Sequence, residues 1–178
     1  MRAILALAIG ALFANMAGPA CAGAAFSPYV VLSGSDSGVS TAACVRIVSE
    51  DAWRHLWEQH SGTIRKTPLG FAAQSRPVVD FRTCMVIAVF GGSTGNTEGL
   101  RFIISTVGET ELVFGLDWLT YQSMGTGDNV TPYGFLIVPR TEKSIRIQFD
   151  DRGLSERSEN AQPKWKDYHT FPKITLPR

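Results

Sequence analysis

Neither sign of charge dominates this sequence, and that balance excludes one class of partner. Lysine and arginine total 17, and aspartate and glutamate total 16. A nearly neutral surface gives no long-range attraction toward nucleic acid or anionic lipid. We therefore expect no nucleic-acid partner.

Histidine and cysteine are also scarce, with three of each in 178 residues. Metal sites are usually built from closely spaced pairs such as Cys-x-x-Cys or His-x-x-x-His, and neither spacing occurs here. His55 and His60 are five residues apart, which places them about 140° apart around a helix. The sequence therefore predicts no metal site and no cofactor, and we expect its histidines to be solvent-facing or half-buried.

Phosphate-binding motifs are missing as well. The glycine-rich residues 91–99 contain no lysine and precede a predicted strand, unlike a phosphate-binding loop, which leads into a helix. Asp80 is interpreted as a structural carboxylate. We predict a protein that is not an enzyme. A hydrolase with a dispersed Ser, His and Asp stays open as an alternative, because triad members need not be close in sequence.

One long apolar stretch is present, at the start of the sequence. Residues 3–17 contain a single polar side chain, Asn15, and follow a positively charged Arg2. The small residues Ala20 and Ala22 then match the pattern that a signal peptidase recognises. We predict a secretory signal peptide over residues 1–22 and a single exported domain, periplasmic or secreted, over residues 23–178.

This apolar stretch is too short for a membrane anchor. It covers about 15 residues, whereas roughly 20 are needed to span a bilayer, and no later segment is long and apolar enough. We expect no stable membrane insertion after cleavage. Lipidation of Cys21 stays open, although Gly18 stands where a lipoprotein signal has a larger aliphatic residue.

Cleavage after Ala22 would leave two cysteines, Cys44 and Cys84. An even number of cysteines in an oxidising compartment favours a disulfide. We predict a Cys44–Cys84 disulfide that closes a loop of about 40 residues. Two buried free thiols are the alternative.

The periodicity of the apolar residues predicts one helix and several strands. Ser49 is a suitable N-cap, and Trp53, Trp57 and His60 fall on one face of a helix over residues 50–60. We expect an α+β fold, mainly antiparallel β, with this helix packed on an open sandwich or partial barrel of about six or seven strands. Residues 150–167 are charged and predict a surface loop or flexible segment. Strands are predicted over residues 29–32, 45–48, 77–81, 84–90, 100–107, 111–119, 135–138 and 144–149, and a short link at residues 108–110 predicts a hairpin.

Two loops are the candidate binding surfaces, because binding residues collect in loops at the ends of strands. They cover residues 91–99 and 121–133. The predicted protein-binding residues are Ser93, Thr94, Asn96, Thr97, Asp128, Asn129 and Tyr133.

The order of these features resembles the PrcB-like family, which is named for an accessory subunit of a bacterial surface protease complex. The resemblance covers residues 45–149, and the loop departs from the family pattern Thr-Gly-Gly-Tyr, because Asn96 and Thr97 follow Thr94 and Gly95. The motifs that carry it are the Trp-x-x-Leu-Trp helix at Trp53, Leu56 and Trp57, the segment 77–81, the apolar strand ending in Gly91 and Gly92, and Thr131-Pro132-Tyr133 before residues 135–140.

The resemblance implies an exported accessory domain, possibly a partner of a protease. Together with the missing motifs and the neutral charge, it predicts a non-catalytic binding protein that contacts a protein of the cell envelope through its loops. A protease inhibitor is a further alternative, since a loop flanked by proline can present itself to a protease.

Overall fold

The computed structural model describes residues 30–62, 75–121, 127, 129–153, 156 and 161–176. The predicted signal peptide and Cys21 lie outside these residues. Within them the chain forms helix α1 (Glu50–Ser61) and the following strands: β1 (Val30–Gly34), β2 (Ala42–Ile47), β3 (Cys84–Gly91), β4 (Thr94–Gly95), β5 (Thr97–Val107), β6 (Glu111–Thr120), β7 (Asn129–Val130), β8 (Tyr133–Pro139), β9 (Ser144–Asp150) and β10 (Trp165–Phe171).

Two four-stranded sheets pack face to face. The first has the order β1-β8-β3-β2, and all its pairs are antiparallel. The second has the order β10-β9-β6-β5, and its central pair β6–β9 is parallel. The predicted α+β sandwich is confirmed, and the two sheets stay separate instead of forming a partial barrel.

Strand β3 shows why the molecule has three layers. Every residue from Met85 to Phe90 is buried, so the strand is covered on both faces. Because side chains alternate along a strand, Ile87 faces the second sheet while Ala88 faces the helix. Strand β8 does the same with Leu136 and Phe135. The helix, the first sheet and the second sheet are therefore stacked in that order.

The helix begins and ends close to the predicted residues. Ser49 has extended backbone angles, and its side chain accepts a hydrogen bond from the amide of Ala52. Trp53 and Trp57 are buried against Phe135, with ring centroids 5.1 and 5.6 Å away. The indole of Trp53 also donates to the carbonyl of Pro77 at 3.0 Å. The aromatic face of the helix is thus its contact with the sheet.

The predicted hairpin is confirmed as β5–β6, and it lies close under the first sheet. Leu100 pairs with Trp118 across the hairpin and points toward β8. A Cβ atom placed on Gly134 of β8 would come within 2.7 Å of the Cβ of Leu100. Only glycine leaves room for this approach, so Gly134 lets the hairpin pack against the first sheet.

The end of the charged segment after β9 forms a strand that we did not predict. Its last residues form β10, which pairs antiparallel with β9 from Trp165↔Asp150 to Phe171↔Ile145. The prediction of a loop or flexible segment over residues 150–167 is therefore wrong for Asp150, the last residue of β9, and for residues 165–167 of β10. The polar composition suggested a loop because β10 lies at an edge of the sheet, where most of its side chains are exposed.

The predicted Cys44–Cys84 disulfide is wrong, and both cysteines are free. Cys44 pairs with Val89, five residues along β3 from Cys84, which separates the two by about 17 Å. They also face opposite ways, since Cys44 packs toward the second sheet and Cys84 toward the helix. A disulfide requires Cα atoms within about 7 Å.

No helix in the described part of the chain is long and apolar enough to cross a membrane.

Candidate functional site

The two predicted loops meet at one end of the sandwich. Strand β4 pairs with β7, so that Thr94 lies opposite Val130 and Gly95 opposite Asn129. The hydroxyl of Ser93 donates to the Asn129 side-chain oxygen at 2.8 Å. We call this paired structure, residues 93–96 and 129–130, the polar rim. Two stretches more than 30 residues apart in sequence therefore form one surface.

Further backbone hydrogen bonds hold the polar rim in place. The amide of Gly91 donates to the carbonyl of Pro132 at 2.8 Å, and the amide of Tyr121 donates to that of Asn96 at 3.0 Å. Asn96 has a φ of 53°, a left-handed conformation that asparagine tolerates better than most residues. These contacts tie the rim to both sheets.

Three of the predicted binding residues are exposed on the polar rim: Ser93, Thr94 and Asn129. Asn96 is half-buried. Thr97 and Tyr133 are only 3% and 4% exposed, so neither is available to a partner, and their prediction as contact residues is wrong. Both follow the loops directly and have already entered β5 and β8. Asp128 lies outside the described residues.

The expectation of a solvent-facing or half-buried histidine is wrong for His60, which is 1% exposed. Its ring centroid lies 4.2 Å from that of Tyr133 and 4.9 Å from that of Phe135. Nδ1 is 3.0 Å from the hydroxyl of Ser37, which is itself buried. The helical periodicity had placed His60 on the buried face, and that signal outweighs the polarity of the side chain.

The contact between Ser37 and His60 differs in two ways from a serine–histidine pair of a hydrolase. Nε2 of His60 is buried and has no partner among the described residues, so no carboxylate orients the ring. Burial lowers the pKa of His60 to about 4, far below the value near 7 that suits a general base. The hydroxyl of Ser37 accepts a hydrogen bond from the amide of Val39 at 3.0 Å. This pair closes a loop against the helix.

Ser93 lies in a motif with the spacing of a nucleophilic serine. The sequence Gly91-Gly92-Ser93-Thr94-Gly95 matches Gly-x-Ser-x-Gly. In a hydrolase this motif forms a strained turn between a strand and a helix. Here it connects β3 to the two-residue strand β4, and Asn96 is the only non-glycine residue of the described chain with positive φ. The geometry of Ser93 is that of a surface turn residue.

Asp80 has the structural role that we predicted. Its carboxylate accepts hydrogen bonds from the backbone amide of Arg82 at 3.1 Å and from the Arg82 guanidinium at 3.0 and 3.2 Å. Its carbonyl accepts from the amide of Cys84 at 2.8 Å. Asp80 thus stabilises the turn that leads into β3.

A cleft of about 330 Å³ next to the polar rim was not predicted. We call it the aromatic cleft; its walls include Trp118, Phe149 and Tyr168, and Asp117 and Asp150 lie at its base. Asp117 pairs with Arg101 at 2.7 Å, and Asp150 pairs with Arg152 at 2.6 Å. The sequence signal was an aromatic residue beside an aspartate near the end of each of two strands, and it has meaning only once the strands are known to be neighbours.

The described residues contain no cluster of three or more His, Cys, Asp or Glu side chains that could hold a metal ion. No protein-family model, no curated protein and no solved structure matches this chain. The resemblance to the PrcB-like family therefore stays a prediction.

Proposed function

We propose that this protein is a non-catalytic exported domain that binds another protein of the cell envelope through the polar rim. The observation that carries the proposal is the pairing of β4 with β7, which joins two separate loops into one exposed surface. A surface fixed by backbone pairing loses little conformational entropy on binding, and such preorganisation strengthens association.

The chemistry of the polar rim suits recognition by hydrogen bonds. Ser93, Thr94 and Asn129 offer hydroxyl and amide groups without net charge. A wrong partner would leave some of these donors and acceptors buried without a hydrogen bond. The free-energy cost of leaving them unpaired gives the surface its specificity. The resemblance to the PrcB-like family supports a protease as this partner.

Site-specific photocrosslinking tests the proposal. A photoreactive residue replaces Thr94 or Asn129 in the exported protein, and crosslinks are captured in intact cells. The control position is Thr106, which is also exposed but lies near the far end of β5, about 30 Å away. We expect both rim positions to give the same crosslinked protein, and Thr106 to give none.

A purified partner then allows a quantitative measurement. Thr94→Arg places a bulky charge on the polar rim and should raise the dissociation constant about tenfold or more. Thr106→Arg should leave the dissociation constant unchanged. Equal crosslinking from Thr106, or equal weakening by both variants, would show that the rim is not the contact surface.

A hydrolase is the second candidate: Ser37 and His60 are in hydrogen-bond contact at 3.0 Å, although the low pKa of His60 does not suit a general base. A serine-reactive fluorophosphonate probe distinguishes the two functions. The non-catalytic proposal expects no labelling of the folded protein. Labelling that disappears in Ser37→Ala or Ser93→Ala would replace it with the hydrolase.

A further inference from the structure

The aromatic cleft lies at the ends of two neighbouring strands, β6 and β9, which place aromatic and aspartate residues side by side. Strands β6 and β9 run parallel, with Leu116 opposite Phe149. Asp117 and Asp150 therefore follow at neighbouring positions, and the charge of Asp117 contributes to the raised pKa of Arg152, the partner of Asp150. Tyr168 enters from the irregularity in β10 between Asp167 and His169.

Three aromatic rings line one side of the cleft. Trp118 and Phe149 are stacked, with centroids 5.3 Å apart and planes 14° from parallel. Tyr168 meets Phe149 edge to face at 4.9 Å and is 46% exposed. Together they form an apolar platform. Because Trp118 and Phe149 cover part of each other's faces, Tyr168 is its most exposed ring, and the face of that ring attracts weakly positive C–H groups.

The base of the cleft is polar, and its charges are paired. The side chains of Asp117 and Asp150 are 2% and 0% exposed, and each is bound by an arginine. Arg101 and Arg152 thus neutralise the two carboxylates, so the base of the cleft carries little net charge.

The entrance of the cleft adds exposed groups of both kinds. Thr120 provides a hydroxyl group, Lys166 a donor and Asp151 an acceptor. Lys166 and Asp151 lie 3.8 Å apart and largely offset each other's charge. Asp167 also lines the cleft, and its carboxylate lies 3.6 Å from Arg146, so a ligand at this entrance meets donors and acceptors whose charges are largely paired.

We propose that the aromatic cleft binds the ring of a neutral carbohydrate. A pyranose has one face of C–H groups, which suits the platform of Trp118, Phe149 and Tyr168, and a rim of hydroxyl groups, which suits Thr120, Asp151 and Lys166. A cation would have to compete with the arginines that already hold the carboxylates, and an anion would meet Lys166, the one cation among the described lining residues, already beside Asp151. The volume lies at the lower end of the range for ligand sites and suits one or two sugar rings.

This inference does not depend on a protein partner at the polar rim. The two surfaces share one end of the sandwich, because Thr120 of the cleft pairs with Thr97 beside the rim. A glycan-linked protein could therefore contact both surfaces, but each is tested alone.

The test is isothermal titration calorimetry of the whole protein against soluble saccharides. The panel contains neutral oligosaccharides of glucose, mannose, galactose and N-acetylglucosamine, a uronic acid oligomer and an arginine-containing peptide. We expect at least one neutral saccharide to bind. Tyr168→Ala should raise the dissociation constant of that saccharide about tenfold, and Tyr168→Phe should leave it unchanged. The exposed control Val78→Ala should also leave it unchanged.

Four outcomes would overturn the proposal. These are no saccharide binding at millimolar concentration, binding of the arginine peptide or the uronic acid in preference to neutral sugars, unchanged sugar binding in both Tyr168→Ala and Trp118→Ala, and equal weakening by Val78→Ala. Circular dichroism of each variant confirms that the fold is intact, and Tyr168→Phe separates loss of the aromatic ring from loss of its hydroxyl.

Discussion

His60 is the residue whose burial has the clearest consequence for stability. It is enclosed by Trp57, Tyr133 and Phe135, and burial lowers its pKa from 6.5 to about 4. The charge of Asp36 opposes this shift but does not reverse it. Between pH 6.5 and about 4 the unfolded chain therefore binds a proton that the folded protein does not bind.

This difference predicts a loss of stability in mild acid. The contribution of neutral His60 is fully present above pH 6.5 and decreases as the pH falls toward 4, by up to about 3 kcal/mol. Urea unfolding at pH 7.5 and pH 4.5 measures it. We expect His60→Phe to reduce the dependence on pH and His55→Gln, at an exposed position, to preserve it. An unchanged pH dependence in His60→Phe would contradict the assignment.

The cysteines give a second prediction at this scale. Burial raises the pKa of Cys44 to about 12, and only a thiolate reacts readily with alkylating reagents. At pH 8 we expect iodoacetamide to leave Cys44 unmodified in the folded protein and to modify both Cys44 and Cys84 after unfolding without reductant. Mass spectrometry counts the modifications. If Cys44 and Cys84 react in the unfolded protein only after reductant is added, the two cysteines form the disulfide that we predicted from the sequence.

One carboxylate holds the described residues between β9 and β10, which are 151–153, 156 and 161–164, through contacts with Arg152 and Lys164. Asp150 accepts hydrogen bonds from the guanidinium of Arg152 and from the amide of Lys164 at 3.0 Å. Arg152 in turn donates to the carbonyl of Ala161. The Arg152 hydrogen bond, despite desolvation, lowers the pKa of Asp150 to about 2, so its contribution persists above pH 3.8 and is lost as the pH falls toward 2.

Removing the Asp150 carboxylate should therefore release Arg152 and Lys164 from the end of β9. We expect Asp150→Asn to lower the free energy of unfolding by about 3 kcal/mol, because Arg152 then lacks its buried partner. Hydrogen exchange at Asp151 and Lys164 should accelerate. Asp167→Asn, an exposed carboxylate on β10, is the matched control and should cost little. Comparable effects of the two variants would mean that Asp150 does not anchor the segment.

The elements that sequence predicted well are those that depend on local patterns. The helix over residues 50–60 has its own cap and apolar face, and the β5–β6 hairpin has a short link, so neighbouring residues determine both. The parallel pair β6–β9 and the strand β10 depend on contacts between distant segments. The β4–β7 pair is only two residues long in each strand, too short to leave an alternating pattern.

The candidate sites follow the same division. Both loops of the polar rim could be identified from composition, but their pairing could not, and the buried positions of Thr97 and Tyr133 depend on where β5 and β8 begin. The aromatic cleft was missed because Trp118, Phe149 and Tyr168 come from three strands. The disulfide was wrong because counting cysteines ignores that Cys44 and Cys84 face opposite sides of one sheet.

At the scale of the whole molecule, two apolar cores share the same strands. Ile87 and Leu136 contribute to the core between the sheets, while Ala88 and Phe135 contribute to the core beneath the helix. Because β3 and β8 belong to both cores, neither layer can lose its partner without exposing apolar surface on these strands. We therefore expect the helix and the two sheets to unfold in one cooperative transition.

Variants in each core test this expectation. Trp53→Phe lies beneath the helix and Phe114→Leu lies between the sheets, and each should cost about 1–2 kcal/mol. In a background of Trp118→Phe and Trp165→Phe, fluorescence reports on Trp57 and, where present, Trp53 of the helix, while far-UV circular dichroism reports mainly on the sheets. We expect both signals to shift together in urea for either variant. If Trp53→Phe moves the fluorescence midpoint alone, the helix unfolds independently and the shared strands do not couple the two cores.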